Sequence, residues 1–258
     1  MPDVISHWSM GDLVVERLPN NISSKMERNA FLLGLLGPDP FTYYYFFLPF
    51  IGKHIKTRAK VMHLHKTGDF LLELTKQAKN TNEFSYLTGF LCHYCLDSLS
   101  HPYIIRTADN MQYMHMAVEH AIDKIVLLNN GIECSEIINM FPQYQSFSNA
   151  NKAIITVYGW SNHESKKCYK HMKLWYIFII DRRRIVGKII SHINPSLACI
   201  LYSSDYYKNI DYCKYRKLEE KAVDESVCLI KSAYDYKSNR ITESEYRAVI
   251  GNHSYYNN

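Results

Sequence analysis

Apolar residues recur at three- and four-residue spacing along most of the chain, which is the pattern of helices with one buried face. The longest such segments are 23–36, 57–79, 82–100 and 110–128. Shorter runs predict further helices at 148–158, 165–180, 183–193, 214–235 and 242–250. Strand-like alternation is nowhere sustained. The pattern therefore predicts an all-α fold, built as a bundle of many helices.

Breaks in the pattern indicate where helices stop. Stop signals stand at Gly37-Pro38-Asp39-Pro40, at Asn80-Thr81-Asn82 and at His101-Pro102. With 10 glycines and 8 prolines in 258 residues, such breaks are scarce, which favours long helices. No repeat, low-complexity tract or Pro/Ser-rich linker divides the chain, so we expect residues 1–258 to form a single domain.

Composition narrows the function classes. The chain is 47% hydrophobic and 21% charged, which excludes a disordered or fibrous protein. The net charge of +5 is spread out, and its densest run, 182–184, is too short for a nucleic-acid arm, so no stable nucleic-acid complex is expected. Seven cysteines, an odd number, argue against a disulfide framework and for reduced thiols. No apolar stretch reaches the ~20 residues of a membrane span, and no signal peptide is visible, which predicts a cytoplasmic protein.

The histidines carry the chemical information. Six of the twelve lie in the range 63–120. His93, Asp97 and His101 are spaced four residues apart, which places them on one face of a helix. We expect Gly89, one turn earlier, to leave space on that face. The opposite face is apolar, so the helix is buried on both sides, and buried imidazole and carboxylate groups need partners that a metal ion supplies.

A second stripe follows at His115, Glu119 and Asp123. His115 and Glu119 can chelate one divalent cation, and we expect Asp123 to orient a ligand. A single such pair is more often a surface ion pair, but two consecutive stripes favour a metal site. Imidazole and carboxylate without thiolate favour zinc or a similar divalent ion. The chain has no His-Glu-x-x-His, His-Asp or Glu-x-x-His sequence, which excludes zincin proteases, HD phosphohydrolases and ferritin-like di-iron bundles.

Five segments in order make a resemblance specific. They are Ser6-His7-Trp8, Gly37-Pro38-Asp39, Met62-His63, Gly89 to Tyr103, and His115-x-x-x-Glu119-x-x-x-Asp123. Together they resemble the zinc-dependent phospholipase C family of bacteria, within the phospholipase C/P1 nuclease superfamily. The resemblance covers residues 2–128 and implies a helical fold around two or three zinc ions. Residues 129–258 are then expected to complete the bundle.

The resemblance implies eight metal ligands in this sequence, namely His7, Asp39, His63, His93, Asp97, His101, His115 and Glu119. In this assignment one zinc ion is held by Asp39, His63, His93 and Asp97. A second is held by His101, His115 and Glu119. Asp97 bridges to a third ion, which His7 also binds.

Three further expectations follow from the same resemblance. Asp39 is the expected catalytic residue, orienting or deprotonating the attacking water. His65 is the alternative ligand to His63. A free amine on Pro2, exposed by removal of Met1, would complete the third zinc site.

The implied activity is hydrolysis of a phospholipid to diacylglycerol and a phosphorylated head group by metal-activated water, with peripheral membrane contact. The partner is then a phospholipid or another phosphodiester substrate. One alternative is a P1-like nuclease or 3′-nucleotidase, suggested by the spacing before His7 and by the basic excess. The other is a metal-stabilised binding protein without catalytic activity.

Overall fold

A computed structural model describes residues 3–45, 57, 61, 63, 67–109, 112–144, 161–181, 183–193 and 195–255. Within these ranges all regular secondary structure is helical, which confirms the all-α prediction. The bounded α-helices are α1 (Val4–Arg17), α2 (Asn20–Ser23), α3 (Arg28–Gly34), α4 (Gly68–Gln77), α5 (Thr81–Thr107), α6 (Gln112–Asn129), α7 (Ile137–Met140), α8 (Asn162–Ile180), α9 (Ile185–Ile193), α10 (Tyr212–Lys237) and α11 (Glu243–Ile250). Short 3-10 helices span Asp39–Tyr43, Cys134–Glu136, Pro195–Ile200 and Tyr206–Asn209.

Most of the predicted helices match these elements within a few residues. The predicted segment 23–36 is broken by a turn between α2 and α3. The predicted helix 148–158, and most of 57–66 at the start of another, lie outside the described residues. The sequence pattern did not predict α1, which carries His7.

The stop predicted at His101-Pro102 is wrong, because α5 continues through Pro102 to Thr107. Proline has no N–H to donate to the carbonyl one turn earlier, so it weakens a helix at this point. Packing overrides that preference here. Tyr103 and Ile104 are buried, and the Tyr103 hydroxyl donates a 3.0 Å hydrogen bond to the Asp211 carbonyl.

Helix α5 is the centre of the fold. Nineteen of its 27 residues are buried, and it packs between α3 on one side and α10 on another. The backbones of α3 and α5 approach closely at two glycines, since a Cβ at Gly89 would lie 2.2 Å from the Phe31 carbonyl oxygen and one at Gly34 would lie 2.0 Å from that of Tyr86. The expectation that Gly89 leaves space beside the ligand face is therefore wrong. The α3 backbone fills that space.

The described helices and cysteines can be compared with the predictions on membrane spans and disulfides. Among the helices that the structure describes, none has both the length and the apolar character needed to cross a bilayer. All seven cysteines are described and none forms a disulfide, as predicted. Cys92 and Cys95 are buried on α5, and burial raises the pKa of both thiols.

Candidate metal centre

The predicted ligands come from five separate stretches of chain. His7 lies on α1, Asp39 begins the 3-10 helix Asp39–Tyr43, and His63 has helical backbone geometry. Helix α5 carries His93, Asp97 and His101, and α6 carries His115 and Glu119. The structure brings these eight side chains together as two adjoining groups, which meet along the ligand face of α5.

The first group consists of His7, Asp39, His63, His93 and Asp97, all 5% exposed or less. Ligand atoms of His7, Asp39 and His93 lie within 4.8 Å of one another, and so do those of His63, His93 and Asp97. Asp39 Oδ1 lies 3.2 Å from His63 Nε2 and 4.0 Å from His93 Nε2. The His7 and His93 rings stack with centroids 4.1 Å apart. Several possible metal ligands thus converge in a small, buried volume.

The ligand atoms around Asp97 lack hydrogen bonds. His93 Nε2 lies 3.1 Å from Asp97 Oδ2, and His7 Nε2 lies 3.2 Å from Asp97 Oδ1, but these pairs do not have hydrogen-bonding geometry. A buried polar atom without a partner costs about 1–3 kcal/mol, so four such atoms close together indicate that partners bind between them. Imidazole nitrogen and carboxylate oxygen are ligands that zinc prefers, and divalent cations held by these residues would satisfy all four atoms. The residues present therefore fit a zinc site.

Backbone carbonyls fix the orientation of two imidazoles. His93 Nδ1 donates a 2.9 Å hydrogen bond to the Leu35 carbonyl, and His101 Nδ1 donates one of 2.7 Å to the Tyr255 carbonyl. Because a carbonyl can only accept, Nδ1 carries a hydrogen in both rings, and Nε2 is the nitrogen left to bind a metal. Such outer hydrogen bonds commonly hold a metal-binding histidine in the required tautomer.

The second group, His101, His115 and Glu119, is more open. His115 Nε2 lies 2.7 Å from Glu119 Oε1 one turn away, and these side chains are 24% and 12% exposed. The His101 and His115 rings lie 5.7 Å apart, inclined by 32°. Burial raises the pKa of Glu119, but the charge of His115 contributes to a net shift below the usual value. The carboxylate is therefore ionised and able to bind a cation.

Burial and charge also set the protonation states of the deeper residues. Burial lowers the pKa of His7 and holds that of His101 well below its usual value. Both imidazoles are therefore neutral near pH 7, the form that binds metals. Burial raises the pKa of Asp97, but the charge of His93 contributes to a net shift well below the usual value. Burial lowers the pKa of His93, but the negative charges of Asp97 and Asp39 contribute to a net shift above the usual value.

Asp123 positions the helix that carries His7. Its carboxylate accepts hydrogen bonds from the backbone N–H groups of Ile5 at 2.8 Å and Ser6 at 2.9 Å, and from the Tyr202 hydroxyl at 3.0 Å. The sequence predicted that Asp123 orients a ligand. The structure shows that it contacts the backbone just before His7.

Asp3 and His120 form a second support for α1, which sequence reasoning missed. Asp3 caps the helix by accepting the Val4 N–H at 2.9 Å, and its other oxygen lies 2.9 Å from His120 Nε2. His120 Nδ1 donates to the Ile200 carbonyl. The sequence signal available was the preference of Asp for the position before a helix. Nothing in the sequence pairs Asp3 with a histidine more than a hundred residues later.

The end of the described chain lies beside the site. The Tyr255 ring is buried, 5.3 Å from the His63 ring and 6.0 Å from the His93 ring. Tyr255 also provides the carbonyl that accepts from His101. Residues far beyond the five resembling segments therefore contribute to the walls of the candidate metal centre.

Two residues with predicted roles lie outside the described part of the chain. They are His65, the alternative ligand to His63, and Pro2, whose amine would be freed by removal of Met1. Both stay predictions. His63 itself lies against Asp39 in the first group.

The comparison with known families agrees with the resemblance. A family model described as zinc dependent phospholipase C matches residues 6–176, about two thirds of the chain. No curated protein and no solved structure matches the chain. The matched range begins one residue before His7 and ends within α8.

Proposed function

The chain belongs to the zinc-dependent phospholipase C family, and on that basis we propose that it hydrolyses a phospholipid to diacylglycerol and a phosphorylated head group. The observation that carries the proposal is the buried convergence of His7, His93 and Asp97, whose facing atoms lack hydrogen bonds. A side-chain nucleophile is not required, because the reaction uses water.

We propose that the eight converging residues hold two or three zinc ions. Asp39, His63, His93 and Asp97 would hold one ion. His101, His115 and Glu119 would hold a second. His7 and Asp97 would hold a third ion. When bound, zinc neutralises charge on phosphoryl oxygens and lowers the pKa of water towards neutrality.

The residues of the chain have two roles in this proposal. Leu35 and Tyr255 fix His93 and His101 through their carbonyls, so that both rings are oriented before substrate binds. Asp39 lies 5% exposed at the start of its 3-10 helix, with one oxygen turned towards His63. Its other oxygen would accept the proton of the attacking water.

The remaining proposals concern the whole chain. We propose that residues 1–258 form one domain, because α10 packs on α5 and Tyr255 lies over the rings of the first group. The substrate is proposed to be a phospholipid rather than another phosphodiester. Location in the cytoplasm stays a prediction of the sequence.

Release of the head group tests the proposed reaction. The purified chain, loaded with zinc, is incubated with phosphatidylcholine or phosphatidylethanolamine in detergent micelles, and the phosphorylated head group is measured. We expect turnover that EDTA abolishes and added zinc restores. Asp39→Asn should lower kcat by about a hundredfold or more, the usual range for losing a general base. Asp69→Asn is the matched control, because the Asp69 side chain is 80% exposed on α4 and its variant should retain activity.

Other outcomes would replace the proposal. Hydrolysis of single-stranded oligonucleotides with no hydrolysis of lipid would assign the site to the nuclease alternative. Full zinc occupancy with no hydrolysis of any phosphodiester tested would assign it to the non-catalytic alternative. Equal turnover by wild type and Asp39→Asn would remove Asp39 from its proposed role.

A further inference from the structure

Large apolar side chains are exposed mainly in one stretch of the chain. In the part that the structure describes, eight large hydrophobic side chains are exposed, and five of them lie between 174 and 189. These five are 39–57% exposed and comprise Leu174, Ile177, Phe178, Ile185 and Ile189. Scattered exposed apolar residues are common, but their concentration in one short stretch of the chain indicates an interaction surface.

Helix α8 is apolar on two opposite sides at its C-terminal end. Met172, Tyr176 and Ile179 face the core and are buried. Leu174 and Phe178, one turn apart, point outward with exposures of 50% and 39%. A helix that only packed against a protein core would have polar residues on its outer face.

Helix α9 repeats this arrangement. Ile185 and Ile189, one turn apart, are 52% and 57% exposed, whereas Val186 and Ile190 on the other side pack against the core. The buried Asp181 joins the two helices, since its carboxylate accepts from the N–H of Val186 at 3.0 Å and its other oxygen from that of Gly187 at 2.7 Å. The exposed ends of α8 and α9 are thus held by a defined connection.

Basic residues outnumber acidic ones in this stretch of the sequence. From 165 to 193 the sequence has eight lysines and arginines and a single carboxylate, Asp181, which is buried. Among the basic residues, Lys170, Arg183, Arg184 and Lys188 are exposed. An apolar surface bordered by cations is complementary to a bilayer with anionic head groups.

We propose that Leu174, Ile177, Phe178, Ile185 and Ile189 form a lipid-docking surface that inserts into the head-group region of an anionic bilayer. A second copy of the chain fits less well. A two-fold symmetric contact would bring the same basic border of each copy together, and like charges repel. The bilayer supplies both the apolar medium and the opposite charge.

The lipid-docking surface lies close to the candidate metal centre through a series of rings. Phe178 lies 5.7 Å from Trp175, and Trp175 lies 6.3 Å from Tyr43 in the 3-10 helix that begins with Asp39. Docking would therefore bring a bilayer to the element that carries Asp39. This consequence rests on the proposed function, whereas docking itself does not.

Vesicle sedimentation tests the lipid-docking surface in the full chain. We expect wild type to bind vesicles of phosphatidylcholine and phosphatidylserine at a molar ratio of about two to one, and to bind less tightly as salt rises. The triple variant Leu174→Ser, Ile177→Ser, Phe178→Ser should bind at least about tenfold more weakly, because three inserted side chains are lost. Val249→Ser, at a 44% exposed position on α11, is the matched control and should bind like wild type.

A second pair of variants tests α9 and the charges separately. Ile185→Ser with Ile189→Ser should also weaken binding about tenfold, and Lys188→Glu should weaken it several-fold on anionic vesicles. Circular dichroism and zinc content identify any variant that fails to fold. If wild type binds vesicles and the folded variants do not, the proposal is supported whether or not lipid is hydrolysed. Absence of hydrolysis would contradict only the proposed reaction.

The proposal is overturned if wild type does not sediment with these vesicles, or if both sets of serine variants bind as wild type does. It is also overturned if wild type is a dimer by light scattering and the serine variants are monomers. That result would assign the same surface to contact between copies.

Discussion

Gly37 lies directly against the imidazole of His93. A Cβ atom at position 37 would lie 2.2 Å from the ring's Cδ2 atom, and the backbone there has φ of +51°, which favours glycine. The Gly37 N–H donates a 2.8 Å hydrogen bond to the Gly34 carbonyl. The turn that leads into Asp39 therefore packs on the ring that faces Asp97, and the close approach requires a glycine.

Gly37→Ala should disturb the candidate metal centre specifically. The added methyl group must displace the His93 ring or move the turn, so we expect zinc affinity to fall by about ten- to a hundredfold. The free energy of unfolding should fall by about 1–3 kcal/mol from strain and overpacking. Equilibrium dialysis against a zinc buffer measures the affinity.

Gly131→Ala is the matched control for this prediction. Gly131 also has positive φ, +66°, but a Cβ there would meet no atom within 4 Å. This variant should lose about 1 kcal/mol of stability from backbone strain and keep its zinc affinity. Equal zinc affinity in the two variants would show that the Gly37 contact does not position His93.

Asp123→Asn should change how stability depends on pH. Burial, with the nearby charge of Asp3, raises the pKa of Asp123 to about 7. The folded chain therefore keeps a proton that the unfolded chain loses from about pH 4, and stability falls as pH rises towards 7. Asparagine has no such proton. Mismatched hydrogen bonds to Ile5 and Ser6 should make the variant about 1–3 kcal/mol less stable than wild type at every pH. The extra stability that the proton gives wild type is lost as pH rises, so the difference in unfolding free energy should shrink from about pH 4 to about pH 7.

Urea unfolding across this pH range, at one zinc concentration, measures the effect. Asp224→Asn serves as the control, because the Asp224 side chain is 75% exposed. Its unfolding free energy should run parallel to that of wild type. If the Asp123→Asn curve is parallel as well, Asp123 does not hold a proton in the folded chain.

Tyr255→Ala should loosen the candidate metal centre from outside the resembling segments. Loss of a fully buried ring beside His63, His93 and Tyr94 should cost about 3–5 kcal/mol. Zinc should also be lost faster to a competing chelator, as measured with a chromogenic zinc indicator. Tyr255→Phe keeps the ring and should stay much closer to wild type. Equal rates of zinc loss in all three proteins would show that the Tyr255 ring does not help the site to retain zinc.

Gly89→Ala tests the corrected role of this glycine. A Cβ at this position would overlap the α3 backbone, so the variant should lose about 1–3 kcal/mol or more of stability, by thermal or urea unfolding. If Gly89 instead left open space, as the sequence suggested, alanine would be neutral or stabilising.

The sequence predicted the parts of the structure that depend on local spacing. Helices α5 and α6 follow the three- and four-residue apolar pattern, and His93, Asp97 and His101 share a face because their spacing matches the helical turn. The resemblance located Asp39 and His63, which the pattern alone could not connect to α5. Helix α1 was missed because polar Ser6 and His7 are buried together with its apolar residues, which hides the periodicity.

The supports of the site depend on contacts between distant positions. The acceptors for His93 and His101 are backbone carbonyls, which every residue has, so no residue type marks Leu35 or Tyr255 for this role. The link from Asp123 to Ile5 likewise ends on a backbone N–H group. Tertiary packing, not local preference, also carries α5 past Pro102.

Zinc content is the most direct test of whether the buried imidazoles and carboxylates bind metal. Elemental analysis of the purified chain should give two or three zinc ions per molecule. Asp97→Asn, which preserves shape but removes the negative charge between His7 and His93, should lose more than one of them and unfold at a lower temperature. A wild-type chain that folds without any bound metal, or an Asp97→Asn variant that retains its full zinc content, would contradict the proposed centre.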